Sequence, residues 1–251
     1  MKTFFVGDIC GKSGRRIASE VIPTIRETEV IDFVIANGEN SAGGFGITSQ
    51  ILHKLEKYGI DCITSGNHLW DKKEILDELN RLPNLLRPAN YPELLAGKGG
   101  QRFYDKIGVI NLVGRTLMPQ ADCPFKTAIK EIEKLDTKII IIDFHAESSD
   151  EKKALALWLD GKVSAVLGSH THVQTADEQI LPNGTAFITD VGMTGAFESV
   201  IGVKAQKSIA YFLHGTPQRF DTAEKDEHLN GIILNIDEES GKTLSIKRIK
   251  N

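Results

Sequence analysis

Residues 3–8 (TFFVGD) and residues 33–40 (FVIANGEN) share one pattern, an apolar run that ends at a glycine and an acidic residue. Residues 14–27 lie between them and place apolar side chains three and four positions apart, the spacing of a helix with one buried face. A strand, a helix and a second strand in this order form a βαβ unit, whose right-handed crossover makes the two strands parallel. The stretch therefore predicts an α/β protein.

The alternation of strands and helices continues along the chain and changes character towards its end. Further helices are predicted at residues 48–58, 72–79, 124–135 and 152–159, and further strands at residues 62–64, 103–104, 109–113, 139–144, 163–167 and 186–189. Residues 232–237 and 244–249 predict an antiparallel hairpin. Parallel units followed by antiparallel strands indicate a mixed α/β layered sandwich. Because the sequence contains no internal repeat or linker, we expect a single domain over residues 1–251.

Length, charge and cysteine content exclude several classes of protein. A chain of 251 residues buries about 70% of its unfolded surface, so it needs no metal merely to fold, and we expect any metal to be functional. With 30 Lys and Arg against 34 Asp and Glu, the net charge of −4 provides no global basic field for nucleic acid. The three cysteines form no C-x-x-C motif, and neither a signal-like segment nor a long apolar run is present. We therefore expect a soluble cytoplasmic protein without a membrane partner.

Side chains that bind metal or phosphate follow the predicted strands. The segments are residues 7–8 (GD), 36–40 (ANGEN), 65–68 (SGNH), 143–145 (DFH), 168–172 (GSHTH) and 189–190 (TD). Ligands of α/β sheets bind beyond the carboxyl ends of strands, so these side chains are expected to meet. Carboxylate, amide and imidazole groups together suit Mn²⁺, Fe or Zn²⁺. They outnumber the ligands of one tetrahedral ion, which favours two ions about 3.5–4 Å apart, as in phosphoester hydrolysis.

These ordered motifs resemble those of the calcineurin-like metallophosphoesterases, and within them the YmdB-like bacterial branch. Further strings that resemble this branch are residues 11–15 (GKSGR), 67–71 (NHLWD), 145–147 (HAE), 172–177 (HVQTAD), 192–195 (GMTG) and 199–202 (SVIG). The resemblance spans nearly the whole chain. It implies a four-layer αββα sandwich of two mixed β-sheets, in a single domain, with a dinuclear metal site.

The resemblance also implies which residues hold the ions. By position in the motifs they are Asp8, Glu39, Asn40, Asn67, His145, His170 and His172. Asp8 and His172 would hold the first ion, with Asn40 completing its shell, and Glu39 would bridge both. Asn67, His145 and His170 would hold the second ion. The superfamily usually has Asp-x-His in its first motif and a bridging Asp, whereas this chain has Asp8-Ile9-Cys10 and Glu39. The YmdB-like branch shares both departures, which leave the metal open, with Fe or Mn favoured over Zn.

The implied reaction is the hydrolysis of a phosphodiester, because family members act on substrates that include 2′,3′-cyclic nucleotides. Two cations lower the pKa of a bridging water toward roughly 7, which makes hydroxide available as the nucleophile. His68 follows Asn67 and would lie close to the scissile phosphate, where it can protonate the departing ribose oxygen. We therefore expect a small cyclic nucleotide as substrate, and the sequence leaves self-association open.

Two other functions remain open at this stage. One is a ribonuclease or RNA-processing phosphodiesterase, although net acidity and 7% aromatic residues give little sign of an RNA-tracking groove. The other is a non-catalytic regulator that binds nucleotide in an intact cleft.

Some residues near the motifs have other expected roles. Cys10 is expected to be a small buried residue, and Asp143 and Asp190 to orient ligand histidines from behind. Residues 43–46 (GGFG) either cover the cleft or form a plain exposed connection.

Overall fold

A computed structural model of the chain describes residues 1–217, 219 and 221–251. The helices are α1 (Gly11–Thr28), α2 (Ser49–Lys57), α3 (Lys73–Leu76), α4 (Pro124–Leu135), α5 (Ser149–Trp158) and α6 (Ala205–His214). The strands are β1 (Lys2–Val6), β2 (Asp8–Ile9), β3 (Phe33–Asn37), β4 (Cys62–Thr64), β5 (Gly100–Phe103), β6 (Ile107–Val113), β7 (Ile139–His145), β8 (Ala165–Ser169), β9 (Gln179–Ile180), β10 (Ala186–Ile188), β11 (Met193–Ala196), β12 (Glu227–His228), β13 (Asn230–Ile236) and β14 (Thr243–Lys250). Within the described ranges no helix is both long and apolar enough to cross a membrane.

Two mixed sheets form the centre of the fold. One has the order β14-β13-β1-β3-β4, in which β1, β3 and β4 are parallel and β13 and β14 run antiparallel. The other has the order β5-β6-β7-β8-β10-β9, parallel from β6 to β10 and antiparallel at both edges. A small sheet of β12, β11 and β2 lies beside them. The predicted mixed α/β class and the closing hairpin are both confirmed.

The buried apolar residues show how helices and sheets stack. Successive side chains of a strand point to opposite faces, and in β1 Phe4 packs into one apolar cluster with Ile22 of α1. The next residue, Phe5, packs into a second cluster with Ile141 of β7, which belongs to the other sheet. The two sheets therefore face each other across that second cluster.

The apolar run of β7 is explained by burial on both of its faces. Ile139 and Ile141 join the cluster between the sheets, whereas Ile140 and Ile142 join a third cluster with Leu155 of α5. A strand buried on both faces has no position for a polar side chain until it reaches its end. The carboxyl ends of such strands are therefore where the polar motif residues lie.

Several segments differ from the sequence-based prediction, which did not include the short strands β2, β9, β11 and β12. The helix predicted at residues 72–79 is reduced to α3, because Lys72 is extended (φ −111°, ψ 100°) and the bond from Glu78 N to Ile75 O is of the 3₁₀ type. The strand predicted at residues 103–104 ends at Phe103, because Tyr104 and Asp105 have positive φ in the turn to β6. Helix α6 was not predicted, and most of its large apolar side chains remain exposed.

Candidate metal centre

The carboxyl ends of the two sheets are joined by hydrogen bonds to one buried carboxylate. Asp143, near the end of β7, accepts a hydrogen bond from Asn37 Nδ2 at 3.0 Å and another from Thr64 Oγ1. Asn37 ends β3 and Thr64 ends β4, so both donors come from the opposite sheet. All three side chains are buried. This contact holds the ends of β3, β4 and β7 together, and the motif residues follow at these ends.

A first group of candidate ligands forms where β3, β7 and β8 end. His145 Nε2 lies 2.8 Å from Glu39 Oε1 and 2.9 Å from His170 Nδ1. The ligand atoms of these three residues all lie within 4.8 Å of one another, a spacing that one ion can bridge. Glu39 and His145 are buried, and His170 is partly exposed. Carboxylate and imidazole ligands in this arrangement suit a transition metal.

A second group adjoins the first through Asn40. Asp8 Oδ1 lies 3.9 Å from His172 Nε2, which in turn is 3.1 Å from Asn40 Nδ2. The same Nδ2 atom lies 3.3 Å from Glu39 Oε1. Glu39 therefore stands between the two groups of side chains.

Asn67 reaches this region because a glycine precedes it. A Cβ atom at Gly66 would overlap the His145 ring and Glu39 Oε2, so a glycine alone allows the backbone to pass this close. The Oδ1 atoms of Asn67 and Asp8 are buried and have no hydrogen-bond partner among the described residues. A buried acceptor without a donor costs about 1–3 kcal/mol. Two such oxygens beside an imidazole–carboxylate cluster fit a site for bound cations, which would satisfy them.

The pKa values of the buried groups reflect their mutual charges. Burial raises the pKa of Asp8 to about 6, against the lowering effect of His172 and His145. Burial opposes the ionisation of Glu39, but the neighbouring His145 lowers the pKa of Glu39 to about 2. Burial also opposes the protonation of His145, yet Glu39 and Asp8 raise its pKa to about 9. The metal-free cluster thus keeps a proton on His145 at neutral pH. A bound cation would take the place of this proton.

Burial and the charge of His145 lower the pKa of His170 to about 3. Its imidazole is therefore neutral at physiological pH. A neutral imidazole is the form that binds a metal ion.

The orientation of His145 is fixed through Ser169. Ser169 Oγ donates to Asp143 Oδ1 at 2.6 Å, and the same hydroxyl lies 2.9 Å from His145 Nδ1. The hydroxyl can accept from Nδ1–H, which directs Nε2 towards Glu39 and His170. The predicted orienting role of Asp143 is thus indirect, and the intermediate Ser169 was not singled out from the sequence.

The segment that carries His170 and His172 does not continue the extended backbone of β8. Both residues have positive φ, 106° and 65°, and lie in a bend after β8. Asp190 Oδ2 accepts from the backbone N–H of the intervening Thr171 at 3.0 Å and pairs with Lys152 Nζ at 2.9 Å. Asp190 therefore acts on the backbone of the bend and contacts neither imidazole. Lys152 gave no signal in the sequence, because it follows no strand.

His68 lies at the edge of the cluster with its ring partly exposed. Its backbone N–H donates to Glu39 Oε2 at 3.0 Å, and its Nδ1 lies 2.8 Å from Asp71 Oδ2. A hydrogen bond from Nδ1–H to Asp71 leaves Nε2 for proton transfer. The Phe45 ring packs edge-on against the His68 ring, with centroids 4.9 Å apart. Asp71 and Phe45 lie in quoted strings, but the sequence assigned neither of them a role.

The expected role of Cys10 agrees with its surroundings. The side chain is 4% exposed, and burial raises the pKa of the thiol to about 12, so it is not a thiolate. All seven side chains predicted to hold metal, together with His68, lie in this one region at the ends of the two sheets.

Comparison with known proteins identifies the family. The chain matches the family described as YmdB-like protein over residues 4–249. It is 47% identical over 255 residues to a Bacillus subtilis (strain 168) protein named 2′,3′-cyclic-nucleotide 2′-phosphodiesterase, covering 99% of this chain and 96% of that protein.

Two solved structures share the whole fold. A Thermus thermophilus protein described as hypothetical has a TM-score of 0.94 at 37% identity, and the match covers 100% of this chain and 99% of that chain. A novel phosphatase from Mycoplasma pneumoniae has a TM-score of 0.94 at 35% identity, and the match covers 100% of this chain and 93% of that chain. The resemblance seen in the strand-end motifs is confirmed. The chain therefore belongs to the YmdB-like family of metallophosphoesterases.

Proposed function

We propose that this protein hydrolyses nucleoside 2′,3′-cyclic phosphates at a dinuclear metal centre. The observation that carries the proposal is the position of Glu39 between two groups of ligand side chains. Its Oε1 atom lies 2.8 Å from His145 Nε2 and 3.3 Å from Asn40 Nδ2. A carboxylate in this position can bridge two ions, which is the arrangement used in phosphoester hydrolysis.

The two groups of side chains support one set of proposed ligands for each ion. The group formed by Asp8, His172 and Asn40 would hold one ion, and Glu39 would bridge this ion to the other. The other ion would be held by His145 and His170 together with Asn67. The unpartnered Oδ1 atoms of Asp8 and Asn67 support the binding of cations in this region. The mixed donor set favours Fe or Mn, with Zn as the alternative.

His68 is the proposed general acid. Two bound ions would supply a water that is deprotonated at neutral pH and would neutralise charge on the phosphate. Proton transfer to the departing ribose oxygen falls to His68, whose partly exposed ring borders the candidate ligands. Asp71 holds Nδ1 of this ring and so presents Nε2 to the leaving group.

The substrate and the arrangement of the fold have separate support. The Bacillus subtilis relative, 47% identical over nearly the whole chain, is named for 2′,3′-cyclic nucleotides. The three apolar clusters support the four-layer αββα sandwich, with helices outside and two sheets inside. We propose that residues 1–251 act as one metallophosphoesterase domain.

Hydrolysis of 2′,3′-cyclic AMP by the metal-loaded protein tests this function. The protein is stripped with a chelator and reloaded with Mn²⁺ or Fe²⁺. Metal content is then measured by elemental analysis, and the products are separated by chromatography. We expect about two ions per chain and a 3′-phosphate product, since cleavage of the 2′ ester leaves the phosphate on the 3′ oxygen. Fully loaded protein that leaves the cyclic nucleotide intact would refute the proposal. Cleavage of RNA in preference to the cyclic nucleotide would reassign the substrate.

A further inference from the structure

A cleft of about 380 Å³ extends from the candidate metal centre into an apolar region. The candidate ligands at its inner end are Glu39, Asn40, His170 and His172. Its apolar lining includes Phe45, the residues Val200 and Ile201 before α6, and Tyr211 and Phe212 within α6. The volume is in the range of small-molecule sites. The cleft therefore has room for more of a substrate than its phosphate.

Phe45 is held at the boundary between the polar and apolar parts of this cleft. Its ring contacts the His68 ring at 4.9 Å between centroids. The loop that carries it is closed by hydrogen bonds from Ala42 N to Gly46 O at 2.9 Å and from Gly44 N to Asn40 O at 3.1 Å. Gly44 and Gly46 both have positive φ, which side chains with a Cβ rarely adopt. The glycines thus let a tight loop fix an aromatic ring beside the proposed general acid.

The other wall of the cleft is formed by apolar side chains left open to solvent. Ile201 is 52% exposed, and Tyr211 and Phe212 of α6 are 41% and 79% exposed. Large apolar side chains grouped on one surface usually mark a binding site. A nucleobase has flat apolar faces and stacks readily on aromatic rings. The candidate ligands and the apolar wall line the same cleft, so a nucleotide with its phosphate at the metal centre could extend its base along this wall.

We propose that Phe45 and the wall formed by Ile201, Tyr211 and Phe212 are the nucleobase subsite of this protein. The base stacks on Phe45 and is covered by the side chains of α6, while the cyclic phosphate lies at the metal centre. This inference rests on the phosphodiesterase function proposed above. Because stacking tolerates every base, the subsite favours nucleoside cyclic phosphates over base-free ones and discriminates little between bases.

The test compares two substrates that share the five-membered cyclic phosphate and differ in the base. Metal-loaded wild-type, Phe45→Ala and Phe45→Trp proteins are assayed with 2′,3′-cyclic AMP and with glycerol 1,2-cyclic phosphate. We expect Phe45→Ala to lower kcat/KM for cyclic AMP about tenfold more than for the glycerol compound, within the range of one base–aromatic stack. Phe45→Trp should restore the preference. Trp158→Ala, which removes an exposed aromatic ring of α5, is the matched control and should leave the preference unchanged.

Binding of adenosine separates this inference from the proposed function. Calorimetry on the metal-loaded proteins needs no turnover, and we expect Phe45→Ala to weaken adenosine binding about tenfold. This result would support the subsite even if wild-type protein cleaved neither substrate.

Three outcomes would overturn the inference. One is an equal loss of both activities in Phe45→Ala, because the ring would then only support His68. Another is adenosine affinity that is unchanged in this variant. The third is a wild-type protein that proves dimeric by light scattering and that Phe212→Ala makes monomeric with the substrate preference intact, since this would assign the wall to a second copy of the chain.

Discussion

Lys152 Nζ lies 2.9 Å from Asp190 Oδ2, and neither side chain is exposed. The same Asp190 oxygen accepts the backbone N–H of Thr171, which separates His170 from His172. Both histidines have positive φ, so the bend that carries them is held in a conformation their side chains disfavour. A buried charge pair on a helix and a loop thus supports two candidate metal ligands without contacting either imidazole.

Replacing Lys152 with Met should lower both folding stability and metal affinity. The substitution leaves the Asp190 carboxylate buried without its counter-charge, which costs about 3–5 kcal/mol. Loss of this support should weaken ion binding about 10- to 100-fold. Urea unfolding and chelator competition measure the two effects. Lys126→Met removes an exposed lysine of α4 and should change neither. Wild-type metal affinity in folded Lys152→Met protein would show that the bend keeps its shape unaided.

Single ligand substitutions should remove the two ions unequally. His172→Ala takes a ligand from the group that contains Asp8, so elemental analysis should find about one ion per chain where the wild-type protein holds about two. Glu39→Ala removes the carboxylate between both groups and should reduce the content further. His53→Ala, which removes an exposed histidine paired with Glu56, is the control and should retain both ions. Identical metal loss in the first two variants would argue against two separately held ions.

His68→Ala should lower kcat by about 10²- to 10⁴-fold, the usual contribution of a general acid. Its metal content should be unchanged, because the bond to Glu39 comes from the backbone N–H and survives the substitution. Asp71→Asn should give a smaller loss, since Asp71 orients the ring and does not itself transfer the proton. Steady-state kinetics with 2′,3′-cyclic AMP and parallel elemental analysis measure both. A fully active His68→Ala protein would remove His68 from the mechanism.

Asp8→Asn should stabilise the metal-free protein in a pH-dependent manner. Burial raises the pKa of Asp8 from 3.8 to about 6, against the opposing effect of His172 and His145. Because the folded-state pKa lies above the unfolded one, the contribution of Asp8 to the free energy of unfolding is highest below about pH 4 and is lost as the pH rises through 6. The uncharged Asn avoids this loss.

Urea unfolding of chelator-treated protein checks the prediction for Asp8→Asn. The variant should gain up to about 3 kcal/mol at pH 7.5 and little at pH 4. An equal gain at both pH values would attribute the effect to packing of the amide rather than to charge.

The parts of the site that the sequence predicted are the residues at strand ends. A strand such as β7 must be apolar while it is buried, so the first polar residues after it mark the sheet edge where ligands bind. This local rule identified His145 at the end of β7 and Asn67 after β4. It could not identify Lys152, which lies within a helix and meets Asp190 only after α5 packs on its sheet. It also gave no reason to expect the exposed face of α6.

The sequence by itself determined the α/β class, the positions of most strands along the chain and the polar residues that end them, because periodicity and strand-end chemistry are properties of neighbours along the chain. Only the tertiary structure decided which of those ends meet. Asn37 and Thr64 belong to one sheet and Asp143 to the other, and their hydrogen bonds form only once the two sheets have packed face to face. Phe45 and α6 likewise line one cleft with the proposed metal ligands only in the folded chain, since contacts between distant segments depend on tertiary packing.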